Sequence, residues 1–309
     1  MALFSSATRR DRAGMLLIAL GATTWGTIGI VVSLLYRFAN TDASSIGFLR
    51  LAIATPALLL LSRLLVGRSF IAVARRDLAV MLVIGAAFAA YQVFYFAAIS
   101  YIGVAVAVLI NICSAPIFIA LLAWLFLNER LSIIVMLALL TALGGTVLLV
   151  GVPQPDTAAV SLLGAALALG AGLAYAVIAV SCRAIAARYH PVQPIAVAFA
   201  LGTLLLMPFA ISRGLVVSYN LWDWMLLVYL GLVPTVLGYA LYLWGLRSTT
   251  ATIAAILTLL EPLISTVLAV FLGERLSATA FLGGMLLLGS MALLYMQQPR
   301  TPRVDVVPE

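Results

Sequence analysis

Long apolar runs separated by short polar breaks dominate this sequence. Ten of these runs reach about 20 residues, the length that an α-helix needs to cross roughly 30 Å of hydrocarbon. Their predicted limits are Gly14–Leu35, Ser44–Leu65, Leu78–Ile99, Val104–Phe126, Ile133–Val152, Ser161–Ala186, Pro194–Ile211, Trp222–Leu246, Thr250–Leu272 and Ala278–Met296. The pattern predicts an all-α polytopic membrane protein with ten transmembrane helices.

The composition agrees with a membrane protein. Of the 309 residues, 65% are hydrophobic and 9% are charged, whereas soluble proteins carry about 25% charged residues. The first run begins near Gly14 and is longer than a signal-peptide core of roughly 7–15 residues, so we expect a retained first helix. Cys113 and Cys182 both lie inside apolar runs, so we expect no disulfide.

The arginines orient the chain in the membrane. All 17 basic residues are arginines, scattered between the apolar runs, a pattern that predicts no nucleic-acid interface. With the N-terminus inside, thirteen of the 17 fall on the cytoplasmic side and four on the other. The positive-inside rule therefore predicts a bacterial inner-membrane protein with both termini in the cytoplasm.

Short motifs recur in the two halves of the chain. Ala19-Leu-Gly-Ala22 returns at 168–171, an offset of 149, and Phe126–Ser132 returns as a close variant at 271–277, an offset of 145. Because five helices are an odd number, a second copy must cross the membrane in the opposite sense, which predicts inverted repeats. The predicted divisions are a cytoplasmic N-terminal tail at 1–13, a first five-helix repeat at 14–152, a second, inverted repeat at 153–297 and a cytoplasmic C-terminal tail at 298–309.

Two proline-containing helices end in similar motifs, and two further short motifs accompany them. They are Pro116 with Leu127-Asn-Glu-Arg-Leu131, Glu261-Pro262 with Leu272-Gly-Glu-Arg-Leu276, Phe48-Leu-Arg50, and Trp25-Gly26. With these motifs the chain resembles the EamA type of the drug/metabolite transporter superfamily, and within it the YddG-like amino-acid exporters. The resemblance implies a ten-helix carrier that exports small metabolites through a central cavity.

Polar and aromatic residues at membrane depth are the candidate substrate-binding residues. A charged side chain at the bilayer centre costs roughly 2.5–3.5 kcal/mol on insertion scales, so it faces protein or a water-filled cavity. The candidates are Trp25, Tyr91, Tyr95, Asn111, Ser114, Tyr175, Tyr239, Thr258 and Glu261, with helix bends expected at Pro116 and Pro262. For the asparagine and threonine, adhesion between helices is an equal alternative.

Three charged residues have competing interpretations. Glu261 either binds a substrate ammonium or a proton, or accepts hydrogen bonds that brace the helix beside Pro262. Arg50 is expected to snorkel to the outer end of its helix and to brace a helix end or pair with Asp42. Glu129 is expected to cap a helix or form a salt link, with a solvated helix end as the alternative.

The same residues separate classes of function. The sequence has no His-Glu-x-x-His or Cys-x-x-Cys motif, so it predicts no metal and no cofactor, and an intramembrane enzyme has little support. A sugar phosphate would need mid-span arginines, and a multidrug cation would favour acids in the first helix. A neutral or zwitterionic metabolite fits best, and the family resemblance favours amino acids; nucleosides stay among the alternatives. The expected partners are this substrate and the bilayer, with the choice between a monomer and an oligomer left open.

Overall fold

Ten apolar helices of membrane length form the part of the molecule that the structure describes. The computed structural model describes residues 2–67, 73–151, 161–271 and 277–296. The spans, numbered α1 to α10, are Asp11–Phe38, Ala43–Val66, Arg75–Val104, Val106–Leu127, Ile133–Val150, Leu162–Ile185, Val192–Ser212, Leu221–Leu246, Ala251–Phe271 and Ala278–Met296. The predicted all-α fold with ten spans is confirmed.

The first span is longer than its apolar run. Its helix runs over Ala2–Gly26 and continues, after Thr27, as Ile28–Phe38, so the predicted tail is helical over its described residues, 2–13. Neither proline nor glycine precedes Gly14, so no residue in this stretch ends the helix. The predicted repeat boundary at 153 and the tail at 298–309 lie outside the described residues.

Polar side chains begin six of the helices that the structure describes. The first N–H groups of a helix lack acceptors within the helix. Where the bilayer excludes water, side-chain oxygens accept their hydrogen bonds instead. Asp42 caps α2, accepting from the N–H groups of Ser44 at 2.8 Å and Ser45 at 3.1 Å. Burial raises the pKa of Asp42, but hydrogen bonds from both serines outweigh this effect and lower it. The other five caps are Ser132, Ser161, Asn220, Thr250 and Ser277.

A glycine reverses the chain between α3 and α4. Gly103 has φ 76° and ψ 165°, a backbone conformation that residues with a Cβ rarely adopt. This single non-helical residue lets α4 begin at Val106 directly after α3 ends at Val104. The break that the sequence predicts between the third and fourth spans lies here.

The helices pair between the two halves. Helix α1 packs on α8, α2 on α7 and α5 on α10, and α3 packs on α6 through Tyr91 and Tyr175. Exchanging the halves converts the α1–α8 pair into the α6–α3 pair and leaves the other two pairs unchanged. Since α1 begins at one face of the membrane and α6 at the other, the halves are inverted repeats.

The α5–α10 pair depends on two facing glycines. A Cβ added to Gly145 would lie 2.8 Å from the carbonyl oxygen of Gly283, and a Cβ on Gly283 would lie 2.5 Å from that of Gly145. Both distances are shorter than real Cβ contacts. Small residues at this crossing let the two backbones touch.

Candidate functional site

A cavity of about 940 Å³ lies between the two halves. Most of its wall comes from the later halves of α1, α3 and α9 and the earlier halves of α2 and α4. All of these segments lie toward the face at which α1 ends, which we name the open face. Tyr36 and Val104, 49% and 59% exposed, lie on the wall near that face. The opposite face, at which α1 begins, is named the closed face.

Aromatic rings form the floor of the cavity on the closed-face side. The Tyr239 ring centroid lies 4.9 Å from that of Trp25 and 5.3 Å from that of Phe88. Behind this floor, Phe199 and Tyr242 are fully buried and do not line the cavity. The cavity therefore ends in apolar ring faces rather than in charged groups.

Tyrosines also line the side of the cavity. Tyr91 and Tyr95 are one turn apart on α3 and stack with ring centroids 5.7 Å apart and planes 7° from parallel. The Tyr175 ring of α6 lies 6.0 Å from Tyr91. Asn111 Nδ2 donates to the Tyr91 hydroxyl at 3.3 Å, whereas Asn111 Oδ1 is buried without a hydrogen-bond partner. This wall offers ring faces and one unused amide acceptor.

All but one of the predicted substrate-binding residues line this cavity. They are Trp25, Tyr91, Tyr95, Asn111, Tyr175, Tyr239, Thr258 and Glu261. Ser114 does not: its hydroxyl donates to the Asn111 carbonyl at 3.3 Å and lies against Gly172 of α6. Ser114 therefore belongs to the contact between α4 and α6.

The two candidate proline bends differ. Helix α9 is interrupted at Leu259, where the segments Ala251–Thr258 and Leu260–Phe271 meet just before Pro262. Proline has no N–H to donate, so the carbonyl of Thr258 loses its usual helical partner. Helix α4, by contrast, continues through Pro116 without a break. Both prolines line the cavity.

Arg50 lies on the cavity wall, so its expected pairing with Asp42 is wrong. Asp42 instead accepts hydrogen bonds from Ser44 and Ser45. The Nε of Arg50 is buried without a hydrogen-bond partner, and the guanidinium forms no ion pair within the described residues. Arg50 is the eighth residue of α2, about 10 Å along the helix axis, and from that depth it reaches the cavity.

Glu261 faces the same space. Among the described residues, Arg50 and Glu261 are the two charged side chains on the cavity wall. Glu261 forms neither a hydrogen bond nor an ion pair with any described residue. The bracing contacts considered for Glu261 are therefore not made in this conformation.

A π-helical segment in α8 was missed by the sequence reasoning. Residues Gly231–Leu237 adopt it around Pro234. Pro234 cannot donate to the Leu230 carbonyl, which instead accepts from the Thr235 hydroxyl at 2.7 Å. The Pro234 carbonyl accepts from Trp25 Nε1 at 2.7 Å. The Pro-Thr pair within an apolar run was the available signal.

Glu129 joins three helices on the closed face. It follows α4, is 9% exposed, and has both oxygens 3.0 Å from the backbone nitrogen of Ala251, which begins α9. Arg183 of α6 lies 3.5 Å from this carboxylate and donates to the Leu246 carbonyl at 2.9 Å. A negative charge is favourable at a helix start because of the helix dipole. The predicted capping interpretation describes Glu129 correctly.

A second cluster closes the same face. Asp77 of α3 accepts from Arg188 at 2.5 Å and from the Tyr189 hydroxyl at 2.8 Å. Arg247, following α8, donates to the Ala186 carbonyl at 3.1 Å. These contacts tie α3 and α8 to the segment after α6. In the part of the chain that the structure describes, no group of three or more His, Cys, Asp and Glu residues is placed to hold a metal.

Comparison with protein families matches both halves. The model of the EamA-like transporter family matches residues 12–151 and 162–296. The first match contains spans α1 to α5 almost completely, and the second contains α6 to α10. One family module therefore occurs twice in this chain.

Known proteins resemble the chain over most of their length. YwfM, an uncharacterized transporter of Bacillus subtilis, is 30% identical over 90% of this chain and 92% of its own. The pseudopaline exporter CntI of Pseudomonas aeruginosa is 32% identical over 79% of this chain and 82% of its own. A solved crystal structure with 21% identity shares the fold, with a TM-score of 0.77 and coverage of 94% of this chain and 96% of that one.

Proposed function

This chain belongs to the EamA-like transporter family of the drug/metabolite transporter superfamily, and we propose that it exports small neutral or zwitterionic metabolites, amino acids foremost. The single observation that carries the proposal is the cavity, which reaches the open face and ends at an aromatic floor. Its 940 Å³ falls within the roughly 300–1,000 Å³ of small-molecule sites. A cavity that meets one face at a time is what alternating access requires.

The cavity lining supports an amphipathic substrate. Trp25, Tyr91 and Tyr239 offer apolar ring faces, and the tyrosines add polar hydroxyls at the ring edges. Thr258 and Asn111 place polar groups on the same wall. A substrate with a polar backbone and an apolar side chain matches this mixture.

The charge distribution orients the proposed carrier. The sequence predicts thirteen of the 17 arginines on the side where α1 begins, so we assign the closed face to the cytoplasm of the bacterial inner membrane. In an exporter with this orientation, the substrate enters from the cytoplasm after the contacts of Glu129 and Asp77 separate. The conformation that opens the cavity to the open face is then the one that releases the substrate outside the cell.

A lipophilic cation is the second candidate substrate. Glu261 together with the aromatic floor is the observation that favours it, because carboxylates and ring faces both attract cations. The positive charge of Arg50 on the same wall opposes such a substrate. The metabolite proposal is therefore preferred.

Counterflow into proteoliposomes tests the proposal. The panel consists of the twenty standard amino acids and the lipophilic cation tetraphenylphosphonium, each labelled. We expect exchange of at least one amino acid, and Tyr91→Ala and Tyr239→Ala should each reduce its rate about ten-fold, equivalent to about 1.4 kcal/mol. Tyr101→Ala is the control, since Tyr101 is 54% exposed and outside the cavity lining. Exchange of the cation alone, or full activity of both cavity variants, would reject the proposal.

A further inference from the structure

Two opposite charges line one cavity without forming an ion pair with each other. Arg50 comes from α2 in the first half, and Glu261 comes from α9 in the second half. The described part of the chain contains two ion pairs, Glu129–Arg183 and Asp77–Arg188, and neither involves the cavity charges. The cavity therefore presents one free positive group and one free negative group to whatever enters it.

The guanidinium of Arg50 is costly to leave unpaired. Its Nε is buried without a partner, and a buried donor of a charged group that lacks an acceptor is unfavourable. Asp42 could have neutralised it but serves as the cap of α2 through Ser44 and Ser45. The fold thus keeps the acid nearest in sequence away from Arg50.

The geometry of the guanidinium favours one class of ligand. Arginine presents five N–H donors in a planar fork, and two of them match the two oxygens of a carboxylate. Glu261 lies directly after the interruption of α9 at Leu259. A carboxylate at this place is a suitable acceptor for the three N–H donors of an ammonium.

We propose that Arg50 binds the carboxylate of the substrate while Glu261 binds its ammonium group, so that the cavity selects zwitterions that carry both. This inference rests on the proposed function and names the two residues that set its substrate class. The aromatic floor at Trp25 and Tyr239 then receives the apolar side chain. Because the two charges come from different halves of the chain, one bound zwitterion connects both halves.

Three chemically matched probes test the assignment. They are the amino acid that the wild type exchanges fastest, the amine formed by removing its carboxylate, and the acid formed by removing its ammonium. Wild-type protein in proteoliposomes should bind the amino acid at least ten-fold more tightly than either analogue, measured by inhibition of counterflow. Arg50→Gln should weaken binding of the amino acid at least ten-fold and leave binding of the amine unchanged. Glu261→Gln should weaken binding of the amino acid by a similar factor and leave binding of the acid unchanged.

Two further variants guard against misfolding. Arg50→Lys keeps the charge but loses the fork, so its affinity for the amino acid should lie between those of wild type and Arg50→Gln. Arg37→Gln removes an exposed arginine outside the cavity and should bind all three probes as wild type does. One result would overturn this inference and leave the proposed function intact. In it, the wild type exchanges amino acids, and Arg50→Gln and Glu261→Gln bind the amino acid as tightly as the wild type does. Failure of the wild type to exchange any amino acid would overturn both.

Discussion

The backbone nitrogen of Ala251 lies 3.0 Å from each carboxylate oxygen of Glu129. Glu129 follows α4 in the first half and Ala251 begins α9 in the second, so this contact holds the halves together at the closed face. The same two helices carry Asn111 and Glu261 on the cavity wall. A shift of α4 relative to α9 therefore changes the cavity and the closing contact together.

Glu129→Ala should loosen the closed face. The substitution leaves the Ala251 N–H without its side-chain acceptor, at a cost of about 1–3 kcal/mol, and removes the ion pair with Arg183. Cys182 is fully buried beside Arg183, so its rate of labelling by N-ethylmaleimide, in a Cys113→Ala background, should rise at least five-fold. Glu129→Gln keeps one acceptor oxygen and should give an intermediate rate. Identical rates in all three proteins would contradict the closing role.

The Asp77–Arg188 pair should respond to a charge swap. Asp77→Arg and Arg188→Asp each bring like charges together and should slow counterflow several-fold. The double swap should recover most of the rate. The Arg188 side chain is 55% exposed, so solvent limits the pair to about 1 kcal/mol or less, and a complete loss of transport is not expected. A double swap no better than the poorer single variant would show that the charges do not act as a pair.

Trp25→Phe should destabilise the protein through one lost hydrogen bond. An aromatic ring is kept, but the Pro234 carbonyl loses the indole N–H donor that lies 2.7 Å away. A buried acceptor without a donor costs about 1–3 kcal/mol. The Tm in detergent should fall by several degrees. Trp124→Phe, at a position 57% exposed on α4, should leave the Tm unchanged. Equal Tm values for the two variants would argue against a stabilising role of the bond.

Alanine substitutions at the adjacent glycines Gly144 and Gly145 of α5 should have different effects on thermal stability. Gly145→Ala places a Cβ 2.8 Å from the Gly283 carbonyl oxygen, so α5 and α10 must separate and the Tm should drop. A Cβ on Gly144 meets nothing within 4 Å, so Gly144→Ala should be neutral or stabilising by up to about 1 kcal/mol. Thermal unfolding followed by size-exclusion chromatography compares the two. A larger loss for Gly144→Ala would refute the packing account.

The orientation of the chain is testable in intact cells. In a background lacking both native cysteines, Ser218→Cys is exposed between α7 and α8 on the open face. It should react with a membrane-impermeant maleimide. Arg76→Cys is exposed at the start of α3 on the closed face and should react only after the cells are permeabilised. The reverse pattern would invert the assignment of cytoplasmic and external faces.

The spans and most of the cavity wall were predictable because their signals are local. A run of about 20 apolar residues identifies a span whatever its neighbours are. Residues such as Tyr91 and Tyr239 lie near the middle of such runs, where a polar hydroxyl requires a polar or aqueous neighbour. Depth along the helix was therefore enough to place them near the cavity.

The direction in which a side chain points from its helix was not predictable in the same way. Arg50 is near enough to the end of α2 to snorkel, and its turn toward the cavity depends on the packing of other helices. Ser114 is three residues from Asn111, yet it contacts Gly172 because α6 covers that part of α4. At the π-helical segment around Pro234, the side chains of Thr235 and Trp25 donate hydrogen bonds to backbone carbonyls. Each outcome is decided by contacts between distant segments.

In the alternating-access cycle proposed above, the pairing of helices between inverted halves limits what distinguishes the two end states. If the halves were identical, exchanging their conformations would produce a second state of equal free energy, and neither state would be preferred. A resting preference therefore arises only where the copies differ. Helix α9 is interrupted at Leu259 whereas α4 is continuous through Pro116, and α8 contains the segment Gly231–Leu237. These departures from symmetry set the population ratio of the two states, and with it the fraction of carriers ready to load.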